Sequence, residues 1–244
     1  MRVLRALSVA FSFLTRLPVR TGEVAPEDLG SSLVFFPLVG AALGIVQVLA
    51  GQALHLVLSE NLCGVLLVAL GALLTGGLHL DGVADLFDGL GGARGDRQRA
   101  LDIMRDSRIG AHGAVALVLV LLGKVFACAE LLQRQTPWPL FVAPVCARLL
   151  AVALIARLPY ARSSGLGLAM HQNARIVHLL AALVLTAVLL AVVPADSAQW
   201  LPLLIVITCV ALAALLVSRA LGGLTGDAYG AAIEICELCI LATL

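Results

Sequence analysis

Residues 62–89 read LCGVLLVALGALLTGGLHLDGVADLFDG, an apolar run from Leu62 to Leu80 followed by carboxylates at Asp81, Asp85 and Asp88. About 20 apolar residues are what a helix needs to cross the hydrocarbon layer of a bilayer. The carboxylates follow at i, i+4 and i+7, which puts all three on one helical face. An ionised side chain costs about 2.5–3.5 kcal/mol at the centre of a membrane helix, so a cluster of three calls for a cation, a partner or water. Carboxylate oxygens are also the donors that hard divalent cations take.

The rest of the chain repeats the apolar pattern. Of 244 residues 61% are hydrophobic and only 13% charged, and the mean hydropathy is +1.05, far outside the range of soluble domains. Five more runs, 33–58, 111–132, 137–158, 177–194 and 198–218, are each long enough to span. The stretch 228–244 is a less secure seventh because it carries Glu234 and Glu237. The fold class that follows is all-α, a polytopic transmembrane bundle of six to seven spans. No internal repeat, low-complexity tract or soluble module is visible, so residues 1–244 read as a single integral membrane domain.

Residues 1–20 mix arginines with Leu7, Val9, Phe11, Phe13 and Leu14. The apolar core is short for a secretory signal, Arg16 interrupts it and no A-x-A-like cleavage site follows. An interfacial helix ending at Pro18 is expected instead. The 16 basic residues alternate from connection to connection. Arg2, Arg5, Arg16 and Arg20 precede the first span, and Ser59–Asn61 has none. Arg94, Arg97, Arg99, Arg105 and Arg108 follow the second span, whereas Gln133–Thr136 has only Arg134. Arg157, Arg162 and Arg175 come next, Pro194–Gln199 has none, and Arg219 begins the last connection. By the positive-inside rule the N-terminus and the connections near 81–110, 159–176 and 219–229 are expected to face the cytoplasm together. The net charge of +1 says little about partners, and no nucleic-acid partner is expected.

Residues 81–110 hold six of the 15 acidic residues and five arginines, and are expected to form an Asp/Arg-rich active-site loop. Carboxylates that seat a metal, followed by glycines and guanidinium forks that grip phosphate, are the combination a diphosphate substrate requires. A second polar island, Gly222-Gly223-Leu224-Thr225-Gly226-Asp227, supplies a fourth carboxylate to complete a metal shell or act as base, and a threonine that could meet a phosphate. Lys124 and Arg148 fall inside expected spans, where a cation marks either function or a buried pair with Glu130 or Glu234. The six cysteines all lie in apolar segments, and Cys236-x-x-Cys239 stands alone, so neither a disulfide framework nor a redox motif is expected. His79 adjoins the Asp cluster as a polar liner or an ordinary helix-end histidine.

Several stretches together resemble the cobalamin synthase family. They are Phe13-Leu14-Thr15-Arg16-Leu17-Pro18, Phe35-Phe36-Pro37-Leu38-Val39-Gly40, Gly77-Leu78-His79-Leu80-Asp81-Gly82-Val83-Ala84-Asp85 with Asp88-Gly89, and Ile103-Met104-Arg105-Asp106-Ser107-Arg108-Ile109-Gly110. Pro159-Tyr160-Ala161-Arg162, Gly165-Leu166-Gly167 and Gly222-Gly223-Leu224-Thr225-Gly226-Asp227 extend the resemblance over nearly the whole chain. Phe87, His112 and Leu224 depart from it in small ways that leave the metal chemistry untouched.

The resemblance implies a magnesium-dependent transfer at the inner membrane of a bacterium, joining adenosylcobinamide-GDP to alpha-ribazole or its 5'-phosphate with release of GMP. It implies Asp81, Asp85, Asp88 and Asp227 as metal ligands, with Asp85, Asp88, Asp227 and Asp106 as the catalytic set and Asp227 or Asp106 as the base. Arg105, Arg108, Arg162, Lys124 and Arg148 are then the expected phosphate-binding residues. Whether copies of the chain assemble as a homo-oligomer is left open.

Two other readings compete. A CDP-alcohol phosphotransferase also uses clustered aspartates in a membrane bundle, but its D-G-x-x-A-R spacing is missed by one residue at Asp88-Gly89 to Ala93-Arg94. A cation-coupled transporter would show a broken transmembrane helix or an inverted repeat, and the sequence shows neither.

Overall fold

The computed structural model describes residues 2–194 and 197–244. Met1, at the start of the expected interfacial helix, and Ala195 and Asp196, within the expected Pro194–Gln199 connection, lie outside the described residues. The described chain is all helix, with one isolated parallel bridge between Tyr160 and Leu224.

The N-terminal helix α1 (Arg2–Leu14) buries Ala6, Val9, Ala10 and Leu14, a stripe at helical spacing, and leaves Val3 and Leu4 outside. It ends four residues before Pro18, where the Arg16 amide leaves the helix to donate to the Leu74 carbonyl at 2.7 Å. A short helix α2 (Pro26–Ser32) and a 3-10 turn (Leu33–Phe35) lead into α3 (Phe36–His55).

The expected span 62–80 is α4 (Glu60–Thr75), which stops at Gly76 and Gly77, both left-handed with φ of 66° and 70°. Glycine takes that conformation without a Cβ clash, so the chain turns sharply and starts a new helix. This helix, α5 (Leu78–Gly92), runs at 93° to α4. The three aspartates are therefore on a helix, not in a loop, and only the short α6 (Arg97–Ile103) and its flanks interrupt the chain before α7 (Ala111–Gln133). After α8 (Pro139–Arg157) a second bent pair, α9 (Leu166–Asn173) and α10 (Ile176–Leu190), also meets at 93°. The chain closes with α11 (Ser197–Leu221) and α12 (Gly226–Thr243). Among the described residues four helices are long and apolar enough to cross a membrane, and up to six spans result if each bent pair counts as one.

The expected seventh span is α12, and it is central rather than marginal. It packs against α5, α7, α8 and α11. Around it α3 lies along α8, and α4 along α7. Small residues allow these approaches: a Cβ on Gly40 would run into the Pro144 carbonyl of α8, and one on Gly64 into the Val125 carbonyl of α7. With no water to drive association, such close backbone packing is what holds membrane helices together. Leu49, Leu119, Phe126, Val184, Leu204 and Leu216 point outward as an apolar coat, as a lipid-facing surface requires.

Inside that coat lies a group of buried charges. Lys124 of α7 donates to Glu234 and, at 2.6 Å, to Glu237, both on α12, and Arg148 of α8 pairs with the other oxygen of Glu237. His79 of α5 lies 3.9 Å from Glu234. Two cations thus meet two carboxylates, which is the condition for charges to persist in a low-dielectric interior. Glu130 takes no part; it pairs with Arg134 at the surface, 2.5 Å away. Lys124 and Arg148, expected as phosphate-binding residues, are both engaged here by α12 carboxylates.

Candidate active site

The three connections expected on one face do meet. Leu224 donates to the Pro159 carbonyl and Ala161 to the Leu224 carbonyl, both at 2.8 Å, which ties the α8–α9 connection to the α11–α12 turn. Arg162 donates to the Met104 carbonyl at 3.3 Å, which adds the α6–α7 connection. A Cβ on Gly222 would overlap the Arg97 guanidinium.

Asp81 and Asp85 come to this junction from the first two turns of α5, beside the start of α12. The close approach depends on Gly82, where a Cβ would lie 2.6 Å from the Asp227 carbonyl oxygen. Thr225 caps α12 through the Ala228 amide at 3.2 Å and is wholly buried, so it is a helix cap rather than a phosphate contact. One residue into α12, Asp227 is bonded by Arg162 at 2.7 Å. Asp85 sits within the fields of Asp81, Asp227 and Asp88, with Arg162 as the one opposing charge among them. Carboxylates grouped this way repel one another until a cation joins them.

Asp88 stands apart. One of its oxygens accepts the Gly110 amide at 2.6 Å and the other the Gly113 amide at 2.8 Å. It is buried, and its oxygens saturate orphan N–H groups at the start of α7. Spacing puts Asp88 on one face with Asp81 and Asp85, and the resemblance implies a metal-ligand and catalytic role for it; in the structure it pins α5 to α7.

The expected phosphate arginines divide as well. Arg162 lies at the centre. Arg108 is at the surface in a two-pronged pair with Asp106, 2.6 Å at its shortest, and Arg105 lies 3.9 Å from Asp102. The hydrogen bonds from the Arg108 guanidinium and amide hold the Asp106 carboxyl down at about 2. Asp106 lines neither of the cavities of this site. It fixes the shape of the loop carrying Ser107 and Ile109.

Two cavities adjoin at Asp81. The larger, about 630 Å³, is lined by Phe13, Thr15 and Arg16 from the N-terminal segment, Asp81 and Asp85 from α5, and Ser107 and Ile109. The smaller, about 280 Å³, is lined by Asp81, Arg162 and Asp227 together with Phe36, Tyr160, Met170 and Tyr229. Tyr160 and Tyr229 stack with ring centres 6.3 Å apart. Sequence reasoning placed no cavity wall in the N-terminal segment; the signal available was Arg16, set between an amphipathic helix and Pro18.

Among the described residues no three carboxylate, histidine or cysteine side chains group tightly enough to hold a metal unaided. The donors are of the hard oxygen type that divalent cations such as magnesium and manganese take. Magnesium is usually held by one or two carboxylates together with substrate phosphates and water, not by an all-protein cage. Asp81 and Asp85 open onto the larger cavity in that manner.

Comparison with known proteins places these features in one family. No solved structure matches the chain. Curated relatives called adenosylcobinamide-GDP ribazoletransferase include those of Citrobacter koseri, 41% identical over 96% of each chain, and Syntrophobacter fumaroxidans, 43% identical over 96% of this chain and 95% of the relative. That of Pseudomonas savastanoi pv. phaseolicola is 41% identical over 97% of both. The family model described as cobalamin-5-phosphate synthase matches residues 6–244. With the Asp81 helix and the Asp227 turn inside the matched residues, the chain belongs to the cobalamin-5-phosphate synthase family.

Proposed function

We propose that this protein joins adenosylcobinamide-GDP to alpha-ribazole or its 5'-phosphate, giving adenosylcobalamin or its 5'-phosphate and GMP, with magnesium at the site and the site facing the cytoplasm. The observation that carries the reading, beside family membership, is the pair of cavities meeting at Asp81. A transferase needs two substrates held side by side with their reacting atoms at the shared wall. The carboxylate-lined larger cavity suits the diphosphate of the donor, and the smaller, with its aromatic walls, suits the flat base of the acceptor nucleoside.

Asp81 and Asp85 are the residues that would hold magnesium. Bound there, the ion neutralises charge on the diphosphate and on the departing phosphate oxygen. The acceptor hydroxyl oxygen bonds to the phosphorus on the cobinamide side. The bond from that phosphorus to the bridging oxygen breaks, and the bridging oxygen departs on GMP. Asp227 lines the acceptor cavity and is fixed by Arg162, so it is the carboxylate placed to receive the hydroxyl proton. Arg162, tied also to the Met104 carbonyl, keeps that carboxylate from swinging away. Most of the acceleration is then positioning and electrostatics.

A transporter would use broken helices, and two bent helix pairs are present although the sequence showed none. The first of them brings Asp81 and Asp85 beside Asp227, which supplies the bend with a catalytic reason, and the family match favours transfer. The orientation rests on the arginine distribution along the connections.

The test is purified protein in lipid given both substrates. The expected result is equal amounts of corrinoid product and GMP, dependent on magnesium and on alpha-ribazole. No GMP with any divalent cation, or GMP released equally without the acceptor, would overturn the proposal.

A further inference from the structure

The diphosphate of a bound donor carries negative charge into a cavity already walled by Asp81 and Asp85, so a cation of the protein should face it as well as a metal. The cations proposed from sequence are engaged elsewhere. Lys124 and Arg148 are paired inside the bundle, Arg162 holds Asp227, and Arg105 and Arg108 lie beside Asp102 and Asp106. Arg16 differs from all of these. It lines the same cavity as Asp81 and Asp85, and among the described residues no carboxylate lies within ion-pair distance of it.

Its placement is built into the fold. The chain leaves α1 at Thr15, whose hydroxyl returns to the Phe11 carbonyl at 2.7 Å, and the next amide, that of Arg16, bonds the Leu74 carbonyl at the end of α4. The Arg16 side chain then lies against Gly76, so closely that a Cβ there would overlap it. Gly76 begins the bend that starts α5, so one backbone corner sets both the arginine and the two aspartates. A guanidinium offers planar paired donors that match phosphate oxygens, which makes such a contact strong and directional.

We infer that Arg16 is a donor-binding residue that grips the diphosphate of the nucleotide substrate from the N-terminal wall of the cavity. The inference rests on the proposed function for the nature of the ligand. It gives the N-terminal segment a part in substrate binding: the residues just after α1 supply the guanidinium, and α5 supplies the carboxylates for the metal.

GDP, which has the guanosine and diphosphate of the donor, is the probe. Its dissociation constant is measured with magnesium on purified protein in lipid, for wild type, Arg16→Gln, Arg16→Lys and Arg20→Gln. Arg20 is a nearby exposed arginine that does not line the cavity. Arg16→Gln is expected to weaken GDP about tenfold or more, as loss of a charge-assisted contact does. Arg16→Lys, which keeps the stem and charge, should fall between it and wild type, and Arg20→Gln should match wild type. Affinity unchanged in Arg16→Gln, or lowered equally in Arg16→Gln and Arg20→Gln, would overturn the inference, as would failure of the wild type to bind GDP. GDP binding that follows the expected order without GMP release from the substrates would leave the Arg16 site standing and refute the transfer reaction instead.

Discussion

Asp85→Asn is expected to lower turnover roughly 10²–10³-fold, the scale on which removal of one preorganised charge-stabilising group acts, while the protein melts no earlier than wild type. The two halves belong together. Asp85 makes no hydrogen bond among the described residues and is pressed by the like charges of Asp81 and Asp227, so the neutral amide removes repulsion and leaves no buried partner unsatisfied. A site whose charges are held against stability is the usual mark of function. Asp88→Asn is the contrast. It exchanges a carboxylate that accepts two backbone amides for an amide group. Hydrogen bonds to a charged group contribute about 1.5–3 kcal/mol each, so this variant should melt earlier. Thermal melts and GMP release on both proteins check the pair. If Asp85→Asn also melts early, or keeps full turnover, the division of labour between the two aspartates is wrong.

Lys124→Met is expected to cost about 3–5 kcal/mol, the range for breaking a buried ion pair and leaving an uncompensated charge. In wild type Lys124 and Arg148 balance Glu234 and Glu237. Without the lysine, two carboxylates face one guanidinium in a bundle interior. The double variant Lys124→Met/Glu234→Gln restores the balance, with Arg148 still on Glu237, and should be more stable than the single variant although it carries one change more. Denaturant or thermal unfolding in detergent measures this coupling. A double variant whose loss is the sum of the two single losses would show that the cluster does not act as a unit.

The cluster also shows why α12 was hard to read. Glu234 and Glu237 weaken any apolar criterion for residues 228–244, and their compensation comes from Lys124 and Arg148, more than 80 positions away in the chain. Pairing over such distances leaves no periodic trace. The bend at Gly76 and Gly77 was hidden for a different reason. Apolar residues continue across it to Leu80, so hydropathy saw one run where backbone conformation makes two helices. The shared face of Asp81, Asp85 and Asp88 was legible from spacing, because helical geometry fixes it. Which of them meets Asp227 and which meets the start of α7 depends on the neighbours of each turn. The meeting of the three connections was legible from the arginine count, since charge placement follows topology. The part played by Arg16 was not, because it depends on how α1 docks against the end of α4.

In the proposed reaction Asp81 and Asp85 seat the divalent cation that acts on the diphosphate. Manganese, which takes the same hard oxygen ligands and is paramagnetic, reports on this directly. Its binding is measured by electron paramagnetic resonance in the presence of GDP, on wild type, Asp88→Asn and the double variant Asp81→Asn/Asp85→Asn. Bound manganese is expected in the wild type and in Asp88→Asn, with its loss in the double variant. Manganese held as tightly by the double variant as by wild type would contradict that assignment.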